Sequence, residues 1–317
     1  MNTIWIISDV ASTAYELSSK VREELGDNNG TIIAYILGDE QIAKEAFAYG
    51  TDIVKLLELS QTAPWEQYVD QLVKEAEAEN PQMILVGASR RGKDLAAKLA
   101  AHLDCPCVSE CSSIDVKEDK CIFKRIVYGG LAEKLLECKN YPVVATVASR
   151  TFSKNEKPGH NSKEEIYTIS LSGDTRVKVL ERRPKSKETV DISEAKVVVG
   201  VGRGFAEKED LKLAEELAKL LGGEVACTRP VAEDYRWLPE DRYIGISGQV
   251  VKPEYYIAIG ISGQVQHVYG IRDSKTIIAI DKNENAPIHQ VADYYIVGDL
   301  KEILPAMIEA IKKQQAS

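Results

Sequence analysis

The sequence predicts an α/β protein of two domains, each with a largely parallel sheet flanked by helices, the first with an added antiparallel strand section. Three observations carry that reading. Over the first 100 residues, short β-branched apolar runs alternate with stretches of helical spacing, the pattern of a parallel sheet covered on both faces. The same alternation restarts near residue 196. Between the two lies Arg182-Arg183-Pro184-Lys185-Ser186-Lys187, where proline and like charges disfavour packing and read as a solvated linker, a hinge or a docking patch. The boundary is therefore placed near residue 190, giving domains 1–190 and 191–317. A chain of 317 residues suits two domains at roughly 150 residues each.

Local signals set the element order. Thr3–Ser8 is β-branched and reads as the first strand, and Ala14–Leu25 has helical spacing that stops before Gly26. Thr31–Leu37 is the second strand, followed by a helix over Gln41–Ala48 and a short strand at Asp52–Leu56. Ala63–Ala78 reads as a helix, Met83–Val86 as a strand closed by Gly87, and Lys93–Leu103 as a helix with an Ala/Leu face. Cys107–Val116, Cys121–Tyr128, Ala132–Cys138, Val143–Ala148, Ile166–Ser170 and Arg176–Glu181 then read as strands with few helices between them, hence an antiparallel extension. Within it, Ser153–Glu165 is polar, carries Pro158 and Gly159, and is expected to be an exposed loop. In the second domain the strands are Lys196–Val201, Glu224–Cys227, Tyr256–Ile259, Thr276–Ile280 and Tyr294–Val297, with helices over Glu207–Leu221 and Leu300–Lys312.

Charge and cysteine content exclude several functions. Forty Lys and Arg against 49 Asp and Glu give a net charge of −9, and neither domain is a basic pole. Such a chain is a poor ligand for a nucleic-acid backbone or an anionic membrane face. No apolar run reaches the roughly 18 residues that span a bilayer. The start Met1-Asn2-Thr3-Ile4-Trp5 lacks a charged region before an apolar one, so a cytoplasmic location is expected. Cys105, Cys107, Cys111, Cys121, Cys138 and Cys227 include no CxxC pair, and with four histidines a zinc or iron–sulfur site is unsupported. Cys105, Cys107 and Cys111 read as reduced, mostly buried thiols, with a redox role as the weaker alternative.

The candidate chemistry lies in the second domain. VVVGVGRG at 197–204 runs from a strand through glycines towards a helix. There, bare backbone N–H groups and the helix dipole favour a phosphate, with Arg203 adding a full charge. The spacing is GxGxG, not the dinucleotide GxGxxG, and Glu224 sits wrongly for a ribose contact. GISGQV at 245–250 recurs at 260–265, placing Ser and Gly where strands would end. Those ends are the edge at which open α/β sheets bind ligands. Gln266 and His267 extend the second copy, and a histidine there can hydrogen-bond a polar ring.

Together with TRP at 228–230, KPEYYIAIGISGQVQH at 252–267 and RDSKTIIAIDKNENAPIHQVADYYIVGDL at 272–300, these segments resemble the alpha subunit of electron transfer flavoproteins. The first domain resembles the family through MILVGASRRGKDLAAKLA at 83–100. The resemblance implies an FAD held by the second domain. Arg203 and Gly204 would lie near its pyrophosphate or adenosine part, with Thr228 and Arg229 beside the flavin ring. Within Gly245, Ile246 and Ser247, the Ser247 hydroxyl would face flavin N5. Ser262, Gly263, Gln264, Val265, Gln266 and His267 would wrap the pyrophosphate, ribityl and pyrimidine end, with His267 near O2. Asp281, Asp299 and Leu300 would lie around the adenosine. A donor at His267 and a cation at Arg229 would stabilise the negative charge of a one-electron-reduced ring. Four positions depart from the family pattern: Ile246 and Ser247 stand for Gln-Thr, Asp281 for Asn, and Thr228 for Ser.

The resemblance further implies a heterodimer with a beta subunit carrying AMP or a second FAD. Such a pair relays electrons from acyl-CoA dehydrogenase, another redox partner or NADH to a downstream acceptor. An electron-bifurcating complex that oxidises NADH is the alternative, depending on the beta chain. A stand-alone nicotinamide oxidoreductase is disfavoured by the broken fingerprint. A nucleotide sensor would have to use the first-domain turn Gly87–Gly92.

Overall fold

The structure, a computed structural model, describes residues 3–26, 30–58, 68–117, 120–157, 164–170, 180–181 and 192–315. The basic run at 182–187 lies outside them, as do residues 176–179 of the expected strand Arg176–Glu181 and 158–163 of the expected loop. The chain divides into two compact units, residues 1–183 and 184–317.

The first unit contains β1 (Thr3–Ser8), α1 (Ala11–Leu25), β2 (Thr31–Leu37), α2 (Glu40–Ala48), β3 (Ile53–Glu58), α3 (Val69–Glu79), β4 (Met83–Gly87) and α4 (Arg90–His102). It continues through β5 (Cys107–Val108), β6 (Cys111–Val116), β7 (Cys121–Val127), β8 (Ala132–Cys138), β9 (Val143–Val147) and β10 (Glu165–Ser170). Seven strands form one sheet in the order β10-β3-β2-β1-β4-β9-β5, parallel at every pairing. The central strand β1 is apolar without alternation because it is buried on both sides: Ile4 and Ile6 enter one core, Trp5 and Ile7 the other.

The antiparallel section is smaller than the sequence suggested. Among the described residues only β6, β7 and β8 pair antiparallel; β5, β9 and β10 belong to the parallel sheet. The physical distinction is burial. Val143–Val147 is buried at all positions, as a strand inside a two-sided parallel layer must be. Ala132–Cys138 is exposed at most positions, as a strand with a solvated face is.

The second unit contains β11 (Val197–Val201), α5 (Leu211–Leu220), β12 (Glu224–Cys227), α6 (Arg229–Glu233), β13 (Tyr255–Ile259), α7 (Val265–Val268), β14 (Thr276–Asp281), β15 (Tyr294–Val297) and α8 (Leu300–Gln315). The expected helix from Glu207 begins instead with a 3-10 turn over Lys208–Asp210. All five strands are parallel, in the order β12-β11-β13-β14-β15. The chain leaves β11 towards β12 on one side, then crosses back to β13 on the other. That reversal leaves a crevice outside the carboxyl ends of β11 and β13, the general ligand position of such sheets. Leu211, Ala214, Leu217 and Ala218 of α5 and Leu300, Leu304 and Ile308 of α8 seal one face of the sheet.

Among the described residues no helix is long and apolar enough to cross a membrane, and no cluster of His, Cys, Asp and Glu could hold a metal ion.

Candidate functional site

At the reversal, two loops touch backbone to backbone. Gly202 N–H donates to the Ile259 carbonyl at 3.0 Å, and Gly204 N–H to the Gly260 carbonyl at 2.9 Å. A Cβ on Gly202 would stand 2.2 Å from the Gly260 carbonyl oxygen, and one on Gly204 would stand 2.5 Å from Gly260 Cα. Gly260 itself sits at φ +60°. These glycines are therefore demanded by close approach of the β11 and β13 loops. The amides of Gly202 and Gly204 face the neighbouring loop, so they are not the phosphate donors that the spacing suggested.

Around this junction opens a cavity of about 620 Å³, within the roughly 300–1,000 Å³ of small-molecule and cofactor sites. It collects the carboxyl ends of the strands. Arg203 and Gly204 follow β11, Thr228 and Arg229 follow β12, and Ser262, Gln264, Gln266 and His267 follow β13. Asp281 closes β14, Asp299 and Leu300 follow β15, and the 245–247 turn (Gly245, Ile246, Ser247) completes the wall. Two expected residues fall outside the lining. Gly263 turns at φ +86°, where a Cβ would meet Ile288 N at 2.3 Å, so it packs the turn against residues 286–290. Val265 opens α7 and is half exposed. The sequence reading missed Tyr243, Ile244, Ile261, Lys282 and Lys301, which also line the cavity. Lys282 and Lys301 each directly follow an expected site residue, the only signal that could have found them.

The repeated hexapeptide folds in two ways. The second copy leaves β13 and runs into α7. The first is a tight turn, with Gly248 N–H donating to the Gly245 carbonyl at 3.0 Å. The first copy is tied to the residue just after the second, where Ile246 N–H donates to the Gln266 carbonyl at 2.9 Å.

The lining is electropositive: Arg203, Arg229, Lys282 and Lys301 stand against Asp281 and Asp299. Arg229 Nε donates to Glu233 at 2.7 Å, Lys301 Nζ lies 3.1 Å from Asp210 Oδ2 as an ion pair, and each acidic partner raises the basic group's pKa. Each carboxylate in the wall orders its own loop. Asp281 Oδ1 accepts from Asn283 N–H, and Asp299 Oδ1 from Lys301 N–H, both at 2.8 Å. The Ser247 hydroxyl is hydrogen-bonded to the Tyr243 hydroxyl. Thr228 Oγ1 is enclosed, with no hydrogen-bond partner among the described residues, as suits a hydroxyl that meets a ligand.

His267 is 6% exposed. Its Nδ1 lies 3.1 Å from the Ile244 carbonyl and its Nε2 2.8 Å from the Tyr256 hydroxyl. Burial pushes its pKa from 6.5 down to about 4, against the opposing pull of the Ile244 carbonyl. Both nitrogens are thus occupied within the protein, and the ring is neutral at physiological pH. Because the folded state resists protonation, the unfolded chain takes up the proton first as pH falls. Stability should therefore decline between pH 6.5 and about 4, by on the order of 3 kcal/mol from this group. Denaturant unfolding of the wild type and His267→Gln across that window checks this; equal slopes against pH would refute it.

The first-unit turn has a different character. Ser89 Oγ accepts from Gly92 N–H and donates to Asp9, both at 2.9 Å. The α4 N-terminus is thus closed by its own cap with a carboxylate beside it, which disfavours a phosphate.

Comparison with known proteins agrees with the architecture. A five-stranded parallel sheet with an electropositive cavity at its topological reversal marks the class of nucleotide-cofactor domains. Residues 191–272 match the model of the electron transfer flavoprotein FAD-binding domain, and residues 2–173 that of the electron transfer flavoprotein domain. The chain is 37% identical over 321 residues to Protein FixB of Escherichia coli O127:H6, covering 99% of this chain and all of that one. The figures are the same for Protein FixB of Shigella flexneri. The chain belongs to the electron transfer flavoprotein family, as an alpha-type subunit whose C-terminal part is the FAD-binding domain. Among solved structures, a UDP-GlcNAc 2-epimerase from Neisseria meningitidis aligns at 11% identity and a TM-score of 0.36, covering 99% of this chain and 92% of that one. A putative UDP-N-acetylglucosamine 2-epimerase from Listeria monocytogenes aligns at 9% and 0.37, covering 98% and 88%. Neither bears on function.

Proposed function

We propose that this chain holds FAD in the cavity at the β11/β13 reversal and, paired with a beta subunit, passes single electrons from a donor dehydrogenase to an acceptor. The observation that carries the reading is the coincidence of the family's FAD-binding domain with an electropositive cavity of cofactor size at the sheet's switch point. The residues present fit the group. Arg203 faces the crevice where a diphosphate would lie, the orphaned Thr228 hydroxyl offers a donor, and apolar Ile244 and Ile261 suit a flat ring system. When bound, the flavin supplies the one-electron chemistry. Arg229 stands as a cation towards the ring, its charge partly balanced by Glu233. Ser247 is held by Tyr243, and Ser262, Gln264, Gln266 and His267 would wall the ribityl and pyrimidine end. Asp281, Asp299 and Leu300 enclose the adenosine end. The first unit, with its self-capped α4, serves as scaffold and beta-subunit contact. Acyl-CoA dehydrogenase is the proposed type of donor. AMP or a second FAD would sit in the beta chain, which decides between simple relay and bifurcation.

The full chain purified with its co-expressed beta subunit should be yellow, with one FAD per alpha chain by absorbance after denaturation if the beta chain holds AMP and two if it holds a second FAD. A colourless chain that does not take up added FAD would refute the reading.

A further inference from the structure

The polar core beneath the cavity ties His267 to Tyr256, a residue that the electron-relay reading does not use. Tyr256 lies on β13 and is fully buried. Its hydroxyl points at β11, where the neighbouring strand has a glycine in the middle of an apolar run. A Cβ at Gly200 would fall 2.0 Å from the Tyr256 hydroxyl oxygen and 2.6 Å from Cζ. The first glycine of VVVGVG is therefore there to admit a phenol. A buried hydroxyl without a partner is costly, and this one is met at 2.8 Å by Nε2 of His267.

The arrangement fixes the proton positions. The Ile244 carbonyl can only accept, so the 3.1 Å contact to Nδ1 requires the proton on Nδ1. Nε2 of the neutral ring is then a bare acceptor, and the tyrosine hydroxyl must donate to it. Three separate elements meet in this unit: β11 through Gly200, β13 through Tyr256, and α7 through His267.

We propose that Tyr256 is a positioning residue of the flavin site: lodged in the space left by Gly200, its hydroxyl holds His267 as the neutral Nδ1–H imidazole. The inference deepens the FAD reading, since His267 forms part of the cavity wall. It gives that wall an uncharged histidine. Compensation of negative charge on the cofactor is then left to Arg203, Arg229, Lys282 and Lys301.

The test is ¹⁵N NMR of the full chain with histidine-selective labelling, near neutral pH, with and without FAD. There are four histidines, and His267→Gln identifies the resonance. A pyrrole-type Nδ1 and a pyridine-type Nε2 are expected for His267 in the wild type. Tyr256→Phe should shift the tautomer ratio towards Nε2–H by about tenfold, the worth of one hydrogen bond. An imidazolium or an Nε2–H tautomer in the wild type would overturn the proposal, and that result does not need Tyr256→Phe to fold. An unchanged ratio in folded Tyr256→Phe would overturn it equally. FAD content, read separately by absorbance, distinguishes failure of the cofactor reading: the tautomer of the FAD-free chain is then still decided by the same spectrum.

Discussion

Gly202→Val should abolish FAD retention while leaving the first unit folded. The new Cβ would lie 2.2 Å from the Gly260 carbonyl oxygen, 2.7 Å from Ile261 Cγ1 and 2.9 Å from the Gly260 carbonyl carbon. Two of these are backbone atoms, which no rotamer change can move aside. The β11 and β13 loops must separate, losing the Gly202–Ile259 and Gly204–Gly260 hydrogen bonds. Overpacking of this kind costs about 1–3 kcal/mol. With the cavity floor displaced, the cofactor is expected to be lost on gel filtration. Gly222→Ala provides the contrast: it also has positive φ, at +64°, but nothing lies within 4 Å of its Cβ. Only the strain of a left-handed residue, about 1 kcal/mol, is expected there, with FAD retention intact. Flavin absorbance after gel filtration and denaturant unfolding of both variants measure the two effects. Retention of FAD by Gly202→Val would remove the reversal from the site.

Arg203→Glu should weaken FAD binding about 100-fold at low salt, with the deficit shrinking as ionic strength rises. Of the four basic residues in the wall, Arg229 and Lys301 are already paired with Glu233 and Asp210. Arg203 sits on the loop at the switch point, where a diphosphate would meet it. Reversing a charge about 4 Å from a phosphate is worth about 1 kcal/mol per charge in water and about 4 at an effective dielectric of 20. Salt screens such an exposed interaction over a Debye length of about 10 Å at 0.1 M. Fluorescence titration of the apo chain with FAD at several salt concentrations checks both magnitude and screening. A loss independent of salt would mean that Arg203 acts through packing.

Much of the site was legible because ligand loops in a parallel sheet follow strand ends, and the strand ends are visible as apolar runs meeting glycine or charge. Arg203 and Ser262 were read that way, whereas Thr228 and Asp299 came only through the resemblance to the family; all four line the cavity. The exceptions are instructive. Gly263 and Val265 are contiguous with true lining residues, yet backbone rotation through the turn takes them away from the cavity. Tyr243 was missed because it lies outside any named strand; its bridge to Cys227 and its hydrogen bonds to Gln249 N–H and the Ser247 hydroxyl bring it under the 245–248 turn. Val143–Val147 looked like another antiparallel strand because a five-residue apolar run does not state which neighbour it will pair with.

The sequence by itself determined two α/β units, an acidic surface and a glycine-rich, serine-repeating edge in the second unit, since these follow from local periodicity and turn chemistry. Only the tertiary structure decided what each polar atom faces. It assigned the Gly202 and Gly204 amides to a neighbouring loop, matched Gly200 to a tyrosine hydroxyl, and occupied both nitrogens of His267. Such pairings join residues far apart in the chain, through distances that no spacing rule encodes. They arise because groups buried together must satisfy one another once water is excluded.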